Sequence, residues 1–318
     1  MTLYVYKGEW GLPSIDFECI RALCAIKFTE APVSINTDGS PFFSGAAKLP
    51  YVQIDTGKVL GYRKISNYLA DIGYEVNGNL QKDVKPIASG YETLVFNNLH
   101  PYFYYVMFGD AANRDVTRSL YAKRMWLPFS LFSHSKYVKD ADKIMEVFAG
   151  FSVYDKMEEH STEQIVYNAK RCINLLSSKL GKKKWFFSET PCGLDGLVYS
   201  YCSILYYITL PSNPLQAHIR ECTNLVKFIE RVTRKYFMAE GFCSKALQTI
   251  LRSNGPMLTP TEQDFQANKR KTQILAAIGA VIAMSAYAAY TGLVRISFDG
   301  QYDEDFGYEE DDEIGPEQ

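Results

Sequence analysis

Residues 49–60 have the sequence LPYVQIDTGKVL, and this stretch decides the fold of the first part of the chain. The residues after Pro50 are rich in β-forming side chains, and Asp55-Thr56-Gly57 is a turn signal. This pattern predicts a β-hairpin with strands at Tyr51–Ile54 and Val59–Leu60. A proline suits the first position of a strand because it has no N–H to donate to the sheet, and the peptide before Pro50 is a candidate for the cis form.

The segments on either side of this hairpin complete an α/β pattern. Leu3–Tyr6 alternates like a short strand, Pro13 suits the first turn of a helix, and Pro32–Ile35 predicts a second strand. The apolar faces of two predicted helices consist of Ile15, Cys19, Leu23 and Ile26, and of Ile65, Tyr68, Leu69 and Ile72. The order of strand, helix, strand, hairpin and helix predicts a thioredoxin-like α/β domain over residues 1–75.

Helical patterns dominate from residue 83 onward. The predicted helices are Asp83–Phe108, Arg114–Trp126, Ser161–Leu180, Pro191–Tyr207 and Asn213–Tyr236. The third begins with the capping box Ser161-Thr162-Glu163-Gln164 and stops at Gly181. These helices predict an all-α domain over residues 83–251, and an α/β domain followed by an all-α domain is the α+β architecture of glutathione transferases.

Two features of this helical part have a structural interpretation. Asp195 lies three residues after Cys192 and is expected to bind free amide groups in the first turn of its helix, so we predict a structural role for it. The aromatic segment Tyr102–Phe108 is either an interface anchor or part of the buried core.

The composition excludes several classes of protein. The chain has 318 residues, 47% of them apolar, which is enough to bury a large core, and its mean hydropathy of -0.16 excludes a multi-pass membrane protein. Its seven cysteines form no Cys-x-x-Cys pair and its four histidines are scattered, so we predict no metal site and no cofactor. The absence of a signal peptide pattern favours a cytosol-facing location. The first 273 residues carry 33 basic against 26 acidic residues without a recognition motif, so no nucleic-acid partner is predicted.

The C-terminal part predicts one transmembrane helix. Residues 274–294 contain no charge and, as a helix, would span roughly 31 Å, about the thickness of the hydrocarbon layer. We predict that residues 252–273 form a linker, that residues 274–294 form a tail anchor, and that the acidic residues 295–318 form a disordered tail. The predicted anchor runs from Ile274 to Val294, its basic flank is Lys269, Arg270 and Lys271, and its small-residue spacing comes from Gly279 and Ala283. The alternative is a buried helix of a soluble domain.

Several stretches of the chain resemble the metaxin family. The first is Trp10-Gly11-Leu12-Pro13-Ser14-Ile15-Asp16. The others are Leu49-Pro50 before the hairpin, Val116-Thr117-Arg118 with Tyr121-Ala122, Leu194-Asp195, Leu210-Pro211-Ser212 with Leu215-Gln216 and His218-Ile219-Arg220, and Lys271-Thr272-Gln273-Ile274-Leu275. The resemblance extends along nearly the whole chain up to the membrane segment.

The resemblance implies a mitochondrial outer membrane protein with its bulk in the cytosol and its C-terminal tail in the intermembrane space. It implies a non-enzymatic adaptor that acts with a second metaxin in protein import and in the sorting and assembly of β-barrel proteins. The implied partners are that second metaxin and the outer-membrane β-barrel assembly machinery. Metaxins are also linked to adaptors of mitochondrial transport along microtubules.

The rival interpretation is a membrane-anchored glutathione transferase or glutathione-binding protein. Transferases activate the glutathione thiol with a hydroxyl or a cysteine near the start of the first helix, where this chain has the apolar Leu12. They hold the γ-glutamyl group with an acidic residue and a hydroxyl after the hairpin, where this chain has Gly61-Tyr62-Arg63. We therefore predict no catalytic residue, and Tyr6 and Ser14 are the remaining hydroxyls to test.

Overall fold

A computed structural model describes residues 1–44, 48–124, 129–149 and 159–238. Its strands are β1 (Thr2–Tyr4), β2 (Ser34–Asn36), β3 (Tyr51–Ile54) and β4 (Gly57–Leu60). Within the described residues these strands form one sheet in the order β2-β1-β3-β4. β1 is parallel to β2 and antiparallel to β3, which is antiparallel to β4, so Leu3 lies opposite both Ile35 and Val52. The hairpin prediction is confirmed, and the Leu49–Pro50 peptide is cis.

Two helices accompany the sheet, α1 (Phe17–Thr29) and α2 (Tyr62–Asp71). The prediction that α1 starts at Pro13 is wrong, because the helix starts four residues later. Trp10 and Gly11 have φ values of 52° and 81°, which turn the chain before the helix. The N-cap is Asp16, whose carboxylate accepts a hydrogen bond from the N–H of Cys19 at 3.0 Å.

The remaining helices are α3 (Val84–Tyr104), α4 (Arg114–Ala122), α5 (Phe129–Ala149), α6 (Glu159–Leu180), α7 (Gly193–Tyr207), α8 (Pro214–Glu221) and α9 (Thr223–Val232). The capping box predicted at Ser161 is wrong, because α6 already includes Glu159. The single helix predicted over 213–236 is also wrong. Cys222 has a ψ of 74°, which is outside the helical range and separates α8 from α9. The apolar spacing of the sequence after Ser161 predicts a buried stripe on this helix, and it is confirmed, since all six of its residues are buried: Ile165, Ala169, Cys172, Ile173, Leu176 and Leu180.

The sheet and the helices share one core centred on α7. Fourteen of the fifteen residues of α7 are buried, and α7 packs against both α1 and α3. Phe17 of α1 stacks on Tyr201 of α7 with ring centroids 4.7 Å apart, and Gly196 lets α7 approach Cys24 closely. This arrangement holds the α/β layer and the helical layer together, as predicted for a glutathione-transferase-like architecture.

The aromatic segment Tyr102–Phe108 belongs to this core. Its members are buried except Tyr104, which is partly exposed, and Phe108 stacks on Tyr137 at 5.2 Å. The interpretation of this segment as an interface anchor is therefore wrong.

The predicted linker, basic flank, tail anchor and acidic tail, residues 252–318, lie outside the described residues. In the part of the chain that the structure describes, no helix combines the length and the apolar character needed to cross a membrane.

Candidate functional site

In glutathione transferases the loop between β1 and α1 carries the reactive group. In this chain the backbone of that loop is hydrogen-bonded to other parts of the chain, and its residue Leu12 is buried. Leu12 is fully buried, and its N–H donates to the carbonyl of Glu9 at 2.8 Å. Arg124, two residues after the end of α4, holds the loop from outside: its Nε donates to the carbonyl of Lys7 at 2.7 Å and a second nitrogen donates to that of Gly8 at 3.2 Å. The backbone around Leu12 is therefore bound to its own chain rather than open to a ligand.

The two candidate hydroxyl groups, those of Tyr6 and Ser14, are also buried in the core. Ser14 is fully buried, and Tyr6 is 1% exposed and hydrogen-bonded through its hydroxyl to that of Tyr137. Burial raises the pKa of Tyr6 well above its usual value. Its hydroxyl is therefore neutral at physiological pH, so it cannot act as an ionised group that activates a thiol.

A carboxylate of the chain itself occupies the N-terminus of α2, where a transferase binds the γ-glutamyl group. Gly61 precedes α2 and has no side chain to cap it, and the carboxylate of Glu18 lies beside the N–H of Tyr62, which lowers the pKa of Glu18 although burial raises it overall. A Cβ at Gly61 would lie 4.0 Å from a Glu18 oxygen. Because helix N-termini attract anions, the carboxyl group of Glu18 takes the place beside the Tyr62 amide that an incoming carboxylate would need.

A cleft of about 560 Å³ lies beside this position, between α1, α2, α3 and residues 75–77. Its most prominent cation, Arg21, is already paired: a guanidinium nitrogen lies 2.7 Å from a Glu92 oxygen, and the guanidinium lies 4.0 Å from the centre of the Tyr62 ring. Asn77 also lines the cleft, and its side chain accepts a hydrogen bond from the N–H of Gly193 at 2.8 Å. Within the cleft, Arg21 is therefore engaged with Glu92 and Tyr62 rather than available to a ligand.

An exposed apolar patch lies at one rim of this cleft, and we call Phe96, Val147 and Phe148 the rim patch. Phe96 of α3 lines the cleft and is 41% exposed, while Val147 at the end of α5 is 77% exposed. The rings of Phe96 and Phe148 lie 5.9 Å apart, and Phe96 stacks on His100 at 4.4 Å. Burial lowers the pKa of His100 to about 4, so the base of the patch is uncharged at neutral pH. Grouped exposed apolar side chains of this kind are typical of protein-binding surfaces.

The sequence analysis did not identify Glu18, Arg124 or the rim patch. Glu18 has the appearance of an ordinary acidic residue in a first helical turn, and its partner Tyr62 is far away in sequence. For the rim patch a weak signal existed, because Val147 and Phe148 are consecutive apolar residues near a helix end, and on a helix with a single apolar stripe one of the two lies off that stripe.

The structure shows the contacts of Asp195 directly. Its carboxylate is fully buried and accepts hydrogen bonds from the N–H of Cys192 at 2.9 Å and from that of Phe186 at 3.1 Å. The described part of the chain holds no cluster of three potential metal ligands, and the six cysteines within it are free thiols.

Comparison with known proteins identifies the family. A family model described as "Outer mitochondrial membrane transport complex protein" matches residues 19–138, and one described as "Glutathione S-transferase, C-terminal domain" matches residues 169–232. A metaxin-1 homolog of Drosophila melanogaster is 47% identical over 92% of this chain and 89% of its own. This chain belongs to the metaxin family. Metaxin-1 of Mus musculus is 30% identical over 93% of this chain and 92% of its own, so the metaxin resemblance predicted from the sequence is confirmed.

The fold of this metaxin family member is shared with glutathione transferases. A glutathione S-transferase of Ceriporiopsis subvermispora, in complex with glutathione, has a TM-score of 0.52 and 9% sequence identity over 74% of this chain and 97% of its own. A glutathione transferase of Phanerochaete chrysosporium has a TM-score of 0.50 and 12% identity over 72% of this chain and 94% of its own. At these identities the likeness concerns the fold alone, and it confirms the predicted glutathione-transferase-like architecture.

Proposed function

We propose that this chain is a non-enzymatic adaptor of the mitochondrial outer membrane that acts with a second metaxin in protein import and in the sorting and assembly of β-barrel proteins. The observation that carries the proposal is the 47% identity with a metaxin-1 homolog along 92% of the chain. The match of residues 19–138 to a family model of an outer mitochondrial membrane transport complex supports the location and the process.

The geometry of the former glutathione site supports the non-enzymatic part of the proposal. A transferase would need an open hydroxyl or thiol near Leu12 and a free helix N-terminus at α2. Here Leu12 is buried, and the carboxyl group of Glu18 lies beside the N–H of Tyr62. The loss of both features removes thiol activation and γ-glutamyl binding together.

The proposal includes the organisation and orientation predicted from the sequence. An α/β domain over 1–75 and an all-α domain over 83–251 would face the cytosol, connected by the linker 252–273 to a tail anchor at 274–294. The tail 295–318 would lie in the intermembrane space. The basic flank Lys269–Lys271 supports this orientation, because basic residues beside a span favour the cytosolic side.

The rim patch is the proposed contact with the second metaxin. Phe96 and Phe148 are exposed with their rings in contact, and Val147, the neighbour of Phe148 in the chain, is the most exposed of the three, as apolar side chains of a protein interface are before binding. The double variant Val147→Glu and Phe148→Glu should reduce co-purification with the second metaxin from detergent-solubilised mitochondria. The matched control is Tyr167→Glu with Leu175→Glu, two other exposed apolar residues, both on α6, which should leave the complex intact.

Replacing residues 269–318 with the tail of another outer-membrane protein tests the adaptor function more broadly. If the soluble part carries function, the exchanged protein should retain its partner and support normal levels of newly assembled β-barrel proteins. Loss of the complex despite correct localisation would make the membrane segment the interface. Unchanged barrel assembly after depletion of the native protein would refute the proposed function.

The alternative function, glutathione turnover, makes the opposite prediction. We expect no saturable glutathione binding at millimolar concentration. Turnover that is abolished by Tyr6→Phe or Ser14→Ala would contradict the adaptor interpretation.

A further inference from the structure

A basic surface lies where the end of α6 meets α9, and we call it the basic face. It consists of Lys182, Lys183, Lys184, Lys227, Arg231, Arg234 and Lys235. Arg231 joins the two segments by donating a hydrogen bond from its guanidinium to the carbonyl of Lys184 at 2.6 Å. Asn224 adds a second link by donating to the carbonyl of Gly181 at 3.2 Å. The lysines after α6 are therefore held beside α9 rather than projecting separately.

Among the described residues that form the basic face and its depression, basic side chains outnumber acidic ones. Lys227 and Arg231 of α9 and Arg234 of the helical turn that follows it, Thr233–Phe237, are spaced so that they share one side. The shallow depression that they line contains one carboxylate, that of Glu230, which lies 3.9 Å from Arg234. The face is therefore strongly cationic as a whole.

Aromatic rings lie at the edge of the same face. The ammonium group of Lys235 lies 5.0 Å from the centre of the Tyr236 ring and 5.9 Å from that of Trp185. Tyr236 is partly exposed. Cationic side chains beside a partly exposed tyrosine have the chemistry of a membrane interface, where ammonium groups meet phosphates and tyrosine rings lie at headgroup level.

The position of the basic face along the chain supports the same partner. The described residues end at Met238, directly after the face, and 30 residues separate this point from Lys269, the start of the predicted basic flank. An anchored chain would keep the face close to the membrane and so raise the effective concentration of lipid headgroups around it.

We propose that the basic face docks on anionic phospholipid headgroups of the membrane in which the chain is anchored, and so orients the cytosolic body on that membrane. This inference rests on the proposed membrane anchoring and adds a second, electrostatic contact. Lysine dominates the face, and an ammonium group is a point charge that binds phosphate without a fixed paired geometry. A fluid layer of headgroups can adapt to such a surface, whereas an acidic protein segment would need a matching arrangement of carboxylates.

Hydrogen exchange of the full chain in lipid nanodiscs tests this proposal. Discs of phosphatidylcholine alone are compared with discs that also contain phosphatidylserine, and exchange is followed at residues 181–185 and 226–238. We expect slower exchange in the anionic discs only, and we expect added salt to abolish the difference because it screens exposed charges.

A charge-reversal variant and a matched control identify the surface responsible. Each basic residue near an anionic membrane contributes about fivefold to binding, so Lys183→Glu with Arg234→Glu and Lys235→Glu should abolish the protection. The control reverses three exposed lysines on other elements, Lys7, Lys64 and Lys139, and should keep the protection.

Equal exchange in both kinds of disc, or equal loss of protection in the variant and the control, would overturn the inference. Protection that depends on an added acidic protein segment and not on the lipid would also overturn it. If the chain does not insert into discs, the anchoring proposal fails. In that case co-sedimentation of the same full chain with phosphatidylserine vesicles, with and without the charge reversal, still decides whether the basic face binds lipid.

Discussion

Replacing Asp195 by alanine should be among the most destabilising single changes in the helical part of the protein. The carboxylate is fully buried and accepts the N–H groups of Cys192 and Phe186 at 2.9 and 3.1 Å. A buried donor without a partner costs about 1–3 kcal/mol, and Asp195→Ala leaves two of them. Since removing a buried charge offsets part of that loss, we expect the free energy of unfolding to fall by about 3 kcal/mol at neutral pH.

For Asp195→Asn the free energy of unfolding should fall by about half as much as for the alanine variant, because the side-chain oxygen of asparagine can still accept one of the two N–H hydrogen bonds. The matched control is Glu189→Ala, an exposed acidic residue in the same connecting segment, which should change stability by less than about 0.5 kcal/mol. Urea unfolding of the full chain in mild detergent, followed by the fluorescence of tryptophans including Trp185 beside Phe186, gives these values. An alanine variant as stable as the control would refute the capping role of Asp195.

The stability difference between the parent and Asp195→Asn should also depend on pH. Burial raises the pKa of Asp195 to about 6, so the folded state binds this proton more tightly than the unfolded state. Its stabilising contribution is complete below about pH 4 and is lost as the pH rises through about 6. Two pKa units correspond to about 3 kcal/mol, so the parent should lose up to that amount relative to the Asn variant across this range. A difference that is independent of pH would contradict the role of burial.

Three further changes test other parts of the fold. Gly8→Ala should destabilise the protein by about 3 kcal/mol or more, since an added Cβ would lie 1.8 Å from the carbonyl oxygen of Leu12. The control is Gly90→Ala, in an open position on α3, which should raise the unfolding midpoint in urea slightly. Burial raises the pKa of Asp16 to about 7, so the protein should lose stability as the pH rises from 4 to 7. Asp16→Asn should keep the α1 cap and reduce that loss. An unchanged pH profile of thermal unfolding would contradict this. Arg124→Lys should lower the unfolding free energy by about 1–2 kcal/mol, because an ammonium group cannot reproduce the fork of donors that holds the loop after β1; faster proteolysis of that loop is the direct measurement.

Local patterns were sufficient to predict the main elements. The hairpin followed from its turn residues, and the buried stripe of α6 followed from apolar spacing, because both depend on neighbours within a few residues. The start of α1 was predicted wrongly because the residues around Pro13, and not Pro13 itself, fix where the helix begins. Pro13 is acceptable in a first helical turn, but the positive φ angles of Trp10 and Gly11 and the cap at Asp16 place the helix start later.

The sequence by itself determined the order of the strands and helices except for α5 and the break between α8 and α9, the succession of an α/β part and a helical part, and the resemblance to metaxins. Only the tertiary structure decided which side chains lie at the positions where glutathione transferases bind glutathione. It brings the carboxylate of Glu18 to the N–H of Tyr62, and it places Phe96 of α3 beside Phe148 of α5. The physical reason is that periodicity and turn chemistry act over a few residues, whereas the side chain that reaches a given helix end depends on how distant segments pack.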